Sequence, residues 1–421
     1  DNDFSVRRFP TVFWLRAGDT ALGVVCALGV LASLSVISGF FRKVALTLCW
    51  LLYLSFFTIG LDFLSFQWDT LLLETGFLAI LFAPWRKDDA VSTPFLWLLR
   101  YLLFRLMFAS AMGKLASDDP SWWELTALEH HYLSQPLPTW LGYYADRLPS
   151  WIQSVSVAVM FFIEGVMPFF IFCGRRLRVV AFFGFIGLMV LIGLTGNYGF
   201  FNLLAVTLSV LLLDDRMLRR KSGGAAASVA MPHIGWRVAR GAGVALMILV
   251  TLIPFSASLS VEIDWPGPMV GAHRFVYPLH LSSGYGLFKW MTKGRNEIEI
   301  EGSRDGVSWE AYVFKYKPGP PARAPVWAQP HMPRLDWQMW FAALSRIERQ
   351  PWLSRTMHRL LENSPDVVDL FETNPFPDEP PRFVRAMLYR YSFTDGKERE
   401  NSGGDYWKRE KLGLYSPVMS K

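Results

Sequence analysis

The chain has 421 residues, 52% hydrophobic, 15% aromatic and 19% charged, with a net charge of +6. Soluble domains carry about 25% charged residues, so a wholly soluble protein is excluded. Residues 20–258 are mostly apolar runs, whereas 259–421 hold Pro, Trp, Arg and Asp at soluble density, the pattern of a multi-span membrane protein with one wet C-terminal domain. The basic residues flank apolar runs, and no zinc-finger or RNA-binding signature occurs, which argues against nucleic acid.

In chain order, residues 1–19 mix Arg with Phe and Trp and read as an interfacial lead-in. Apolar runs at 21–40 and 44–61 predict two spans, separated by Arg42 and Lys43. The next run carries Gln67, Asp69 and Glu74; the one after it, from Phe95, carries Arg100 and Arg105 and ends at Lys114. Charges inside such runs are costly, so they mark a functional interior or a structural ion pair. A connection at 115–150 follows, holding Trp122, Trp123, Glu124, Glu129, His130 and His131. A span at 152–173 has Glu164 at its middle and Pro168 one turn on; Glu164 is expected to find Arg100 or Arg105. A hairpin of apolar runs, 179–194 and 200–213, turns at TGNYG, and a last span covers 238–259.

The expectation is a helical bundle of about eight spans over 20–258, followed by a β-rich, sandwich-like domain with flanking helices over 259–421. Basic residues at 42–43, 86–87, 175–178 and 216–221 fall at alternate connections, which puts 115–150, TGNYG and the C-terminal domain together on the non-cytoplasmic side. Arg7, Arg8 and Arg16 then run against that rule. In the C-terminal half NEIEIEGSRDGVSWEAYVF alternates about a turn and predicts a β-hairpin; SVEIDW, RFVYPL and YGLFKWMT are expected to pair with it. LDWQMWFAALSRIE, WLSRTMHRLLEN and SPDVVDLFET predict helices, RFVRAMLYRYSFT a strand, and the last stretch a polar, aromatic tail.

Candidate chemistry is sparse. Lys114 is either a desolvated base or a helix-end anchor. Glu124, His130 and His131 suit proton handling, with no third ligand at a regular spacing for a metal. Arg334, Asp336, Trp337 and Trp340 are candidates for an exposed client-binding surface, or else a core stripe, since the two Trp stand three apart. Cys26, Cys49 and Cys173 offer no redox pair, and no nucleotide-loop, nucleophile-elbow or H-E-x-x-H motif occurs, so no cofactor or metal is expected.

FQWDTLLLETGFLAI, LLRYLLFRLMFASAMGKL, SWWELTALEHHYLSQPLPTW, LTGNYGFFNLL, EIEGSRDGVSWEAYVFKYKPG and PHMPRLDWQMWFAAL together resemble the lipase maturation factor family, in order from about Phe13 to Tyr415. The resemblance implies a polytopic protein, of the endoplasmic reticulum membrane in animals and the plasma membrane in a bacterium, which helps secreted lipases fold, dimerise and leave. It also implies that the C-terminal part meets the client. Residues 107–135 are similar to the helix and loop of the vitamin K-dependent γ-carboxylase group, where the second Lys of a Lys-Lys element is the base, which implies as the alternative an integral-membrane enzyme with Lys114 as base in a pocket near the outer leaflet. Lys114 stands at the second Lys and Gly113 replaces the first.

Overall fold

The structure, a computed structural model, describes residues 6–85, 92–214, 217 and 234–421. Its helices are α1 (Asp19–Ser38), α2 (Arg42–Ile59), α3 (Gln67–Phe82), α4 (Thr93–Leu115), α5 (Pro120–Trp123), α6 (Leu128–Ser134), α7 (Trp140–Ala145) and α8 (Ser150–Phe161). Then come α9 (Arg175–Thr195), α10 (Phe201–Val210), α11 (Ile234–Ser258) and α12 (Gly267–Val276). Strands β1 (Arg295–Ser303) and β2 (Glu310–Phe314) precede α13 (Arg334–Ala343), α14 (Pro351–Leu361) and α15 (Pro365–Val368). The chain ends with β3 (Phe371–Thr373), β4 (Phe383–Phe393), α16 (Gly396–Asn401) and β5 (Trp407–Ser420). Arg86, Lys87 and the basic stretch 216–221, apart from Met217, lie outside the described residues, as does the Gly/Ala/Ser tract after it.

Six helical stretches among the described residues are long and apolar enough to cross a membrane, rather than the eight expected. The two others are shorter: α3 has 16 residues and α10 has 10, about 24 and 15 Å at ~1.5 Å per residue, against about 30 Å of hydrocarbon. The chain forms two compact units. One comprises Asp1–Pro120, Val159–Met189 and Leu203–Trp290; the other comprises Ser121–Ala158, Val190–Asn202 and Met291–Lys421.

In the first, the bundle unit, Gly39 takes the left-handed conformation at φ 81° and turns the chain from α1 back along α2. The central helix is α4: 56% of its apolar window is buried, against 11–22% in the other long helices. Phe104 and Phe108 of α4 pack with Phe169 and Phe255 at ring separations of 5.3–6.3 Å. The stretch Ser150–Phe172 is not one regular helix. After Phe161 it passes through a π-turn, Phe162–Val166, into a 3-10 turn, Met167–Phe172. Pro168 has no N–H to give the carbonyl of Glu164, so the regular ladder is interrupted there.

In the second, the sheet unit, five antiparallel strands run β3-β2-β1-β4-β5. This is a single sheet, not a sandwich: α13 and α14 pack against β1 and β4, where a second sheet was expected. β1 pairs with β4 from Arg295↔Tyr391 to Ser303↔Phe383. Alternation in the EIEIE run sends Ile298 and Ile300 to one face and Glu297, Glu299 and Glu301 to the other. Each glutamate has a cation: Arg295 and Lys317 for Glu297, Arg409 for Glu299, Arg385 for Glu301. The final stretch, expected as a tail, is strand β5.

SVEIDW, RFVYPL and YGLFKWMT are not strands. The first and third are irregular, and the second ends α12. Three N–H groups of 283–286 go to bundle side chains instead of a ladder: Ser283 N donates to Glu74 Oε2 (3.2 Å), Tyr285 N to Ser258 Oγ (3.0 Å) and Gly286 N to Gln67 Oε1 (2.9 Å).

Candidate functional site

The bundle unit gives each buried charge a local partner. Asp69 closes the N-terminus of its own helix, accepting from Phe66 N, and also accepts from Tyr53 Oη. Glu74 is ion-paired to Arg105 and accepts from Tyr285 Oη (2.6 Å); Arg105 Nη1 also reaches Ser283 O (3.2 Å). Arg100 donates through Nε and Nη2 to Leu211 O, at 3.0 and 2.8 Å, and lies 4.8 Å over the Trp97 ring. Lys114 is only 6% exposed, and its Nζ meets Glu164 Oε2 at 2.6 Å. The pairing of Glu164 with Arg100 or Arg105 is therefore corrected to Lys114. The π-turn carries Glu164 opposite that lysine, and Lys114 is neither at the water surface nor held as a lone base. Against Gly113, a Cβ would fall 2.9 Å from Lys289 Cε, whose Nζ donates to Ser258 O (2.9 Å).

The sheet unit gathers the other quoted motifs around a second buried network. Asn197, in the TGNYG turn, has all its side-chain bonding capacity used. Its Oδ1 accepts from Ala328 N (2.7 Å) and Gln329 N (3.2 Å), and its Nδ2 donates to Leu137 O (3.2 Å) and Val326 O (2.7 Å). Its carbonyl accepts from Trp337 Nε1 (3.1 Å), while Trp340 Nε1 donates to Ser134 O (2.7 Å). Tyr198 Oη donates to Gln135 Oε1 (2.9 Å) and lies 3.2 Å from His131 Nε2. Burial pushes the Tyr198 phenol far above its ordinary value, so it keeps its one proton. With that proton given to Gln135, the imidazole Nε2–H is the donor to Tyr198. Gln135 Nε2 holds Thr195 O (2.9 Å).

Arg295 is 1% exposed and caps the same junction. It donates to the carbonyls of Leu133 (2.9 Å), Gln135 and Pro136 (2.8 Å), just where α6 runs out of intrahelical partners. Its Nε faces Glu297 (2.7 Å), which also pairs with Lys317 (2.7 Å). Asp336 Oδ1 accepts from Tyr316 N and Lys317 N, both at 2.8 Å. Burial raises its carboxyl above the ordinary range, against those bonds.

Trp337 and Trp340 are 3% and 9% exposed and Asp336 is buried, so this stretch is a core stripe and not an exposed aromatic surface. Arg334 is half-buried at the start of α13, and Phe341 and Leu344 are the exposed apolar residues at its end. Of the histidine group, the structure ties His131 to Tyr198, leaves Glu124 exposed and His130 half-buried. Among the described residues no group of three or more His, Cys, Asp or Glu is arranged to hold a metal. Gln135, Arg295, Glu297, Lys317 and Tyr285 were missed from sequence. The one available signal was the charged face of the EIEIE strand, which demanded cations.

Comparison with known proteins matches both halves of the chain. Residues 2–220 fit the lipase maturation factor transmembrane domain and residues 281–417 fit the lipase maturation factor C-terminal domain. Lipase maturation factor 2 of Gallus gallus is 34% identical, over 99% of this chain and 74% of its own length. The Homo sapiens protein of that name is 35% identical over 98% and 75%. Lipase maturation factor 1 of Bos taurus is 33% identical over 98% and 78%. No solved structure matches the chain. With its membrane helices and its sheet domain both matched in order, this multi-pass membrane protein belongs to the lipase maturation factor family.

Proposed function

We propose that the chain is a membrane-anchored maturation factor for secreted lipases, with the sheet unit as the part that engages the client outside the cytoplasm. Its membrane would be the one the client crosses: the endoplasmic reticulum in an animal cell, the plasma membrane in a bacterium. The observation that carries this reading is similarity to lipase maturation factors 1 and 2 along both halves. In this reading Asp336, Trp337 and Trp340 shape the sheet unit from within, and client contact falls to its exposed side chains.

The test is co-expression of a secreted lipase with the full chain in cells lacking their own lipase maturation factor. The secreted lipase should gain specific activity, and the lipase should co-purify with the chain during synthesis. Secreted activity identical with and without the chain, across several lipases, would overturn the proposal.

A further inference from the structure

Two stretches have no part in either network: the lead-in with Arg7, Arg8 and Arg16, and residues 265–280, which hold α12. The structure pins both to the same turn of α2. Val12 N donates to Ser55 Oγ (3.1 Å), Thr11 Oγ1 to Ser55 O (3.3 Å) and Thr58 Oγ1 to Pro10 O (3.1 Å). Phe13 meets Phe56 edge-on, with ring centroids 5.4 Å apart. The next residue, Phe57, carries the His280 ring at 4.2 Å, and Arg7 lies 4.8 Å over Phe275 of α12. Both stretches thus sit at the end of the bundle unit where α1 begins and α2 finishes, one boundary of its apolar crossings.

This end presents a mixed surface. Leu15 is 91% exposed and Phe275 and Tyr277 are each 59% exposed, with Val6 and Trp14 also open. Arg7, Arg8, Arg16 and Arg274 are exposed among them. Residues 6–18 and 265–280 contain no carboxylate; the acids nearest in sequence are Asp3, Asp19, Glu262 and Asp264, and Asp62 stands exposed just past the end of α2. Desolvation lowers His273, and it lowers His280 to about 4, so the positive charge at pH 7 is arginine alone. At a bilayer boundary, open apolar side chains enter the headgroup and acyl layer, and guanidinium forks match phosphate oxygens.

We propose that the lead-in and α12 form one interfacial platform that binds the phosphates of anionic phospholipids. It gives the three lead-in arginines a role independent of the orientation rule they run against.

The test uses the full chain in nanodiscs of phosphatidylcholine with phosphatidylglycerol, comparing spin-labelled forms of each lipid. The wild type should hold the anionic label in preference. Arg8→Gln/Arg16→Gln should cut that preference by roughly fivefold per arginine, and adding Arg7→Gln and Arg274→Gln should abolish it. The thermal midpoint should not move with Arg8→Gln/Arg16→Gln, whose exposed side chains make no hydrogen bond or ion pair to another element among the described residues. Arg346→Gln/Arg349→Gln/Arg355→Gln, on the sheet unit, should leave the preference intact. No preference in the wild type, its survival in the quadruple variant, or equal loss in the sheet-unit control would overturn the proposal.

Discussion

Asn197 illustrates what a single polar side chain does in a buried turn. Asn197→Ala removes four hydrogen bonds and strands the N–H groups of Ala328 and Gln329. The expected loss is about 2–4 kcal/mol, read as a lower thermal midpoint of the purified chain in detergent. Its local sequence, TGNYG, announces a turn and nothing about residues 326–329, which lie more than a hundred positions away. Asp305 is the opposite case, a residue whose role is local. Its Oδ1 accepts from Val307 N (2.8 Å) and Ser308 N (2.7 Å), which depress its carboxyl from 3.8 to about 2. A depressed folded-state value adds stability above about pH 4 that is lost as pH falls towards 2. Asp305→Asn should therefore flatten the thermal midpoint's pH dependence between about pH 4 and 2.

At the scale of elements, the π-turn and α4 are coupled through Lys114 and Glu164. Removing one buried partner strands a charge, so Lys114→Met should cost about 3–5 kcal/mol. Lys114→Met/Glu164→Leu should recover most of that loss and should still mature a co-expressed lipase. A stable but inactive double variant would show that the lysine has chemistry beyond charge balance. Helix α7 approaches the 195 turn so closely that a Cβ on Gly142 would collide with the Thr195 carbonyl. Backbone cannot yield as a side chain can, so Gly142→Ala should lower the folded yield several-fold, measured by size-exclusion chromatography. The sheet's edges bear on client contact. β3 is three residues long, and β5 carries Lys408, Lys411 and Pro417 with an irregular register, features that discourage pairing with an added strand. Replacing Pro417 and both lysines by Thr should promote self-association, visible by light scattering.

Across the whole chain, the sequence by itself determined what depends on local pattern. Hydropathy marked the six long apolar helices but also two runs too short to cross; alternation marked the β1–β2 hairpin, the run RFVRAMLYRYSFT marked β4, and Ser364-Pro365 marked the start of α15. Runs of specific residues pointed to the family. It did not decide that the C-terminal domain is one sheet backed by helices, or that Ser283, Tyr285 and Gly286 give their N–H groups to bundle side chains. Nor did it decide that Glu164 pairs with Lys114, or that the 121–140 connection, the TGNYG turn and α13 share one hydrogen-bonded junction. Periodicity reports which face of an element is apolar. It carries no information about which distant donor meets which acceptor, because a buried polar group can be satisfied equally well by many partners. The choice among them is made only when the chain packs and each desolvated group must find one.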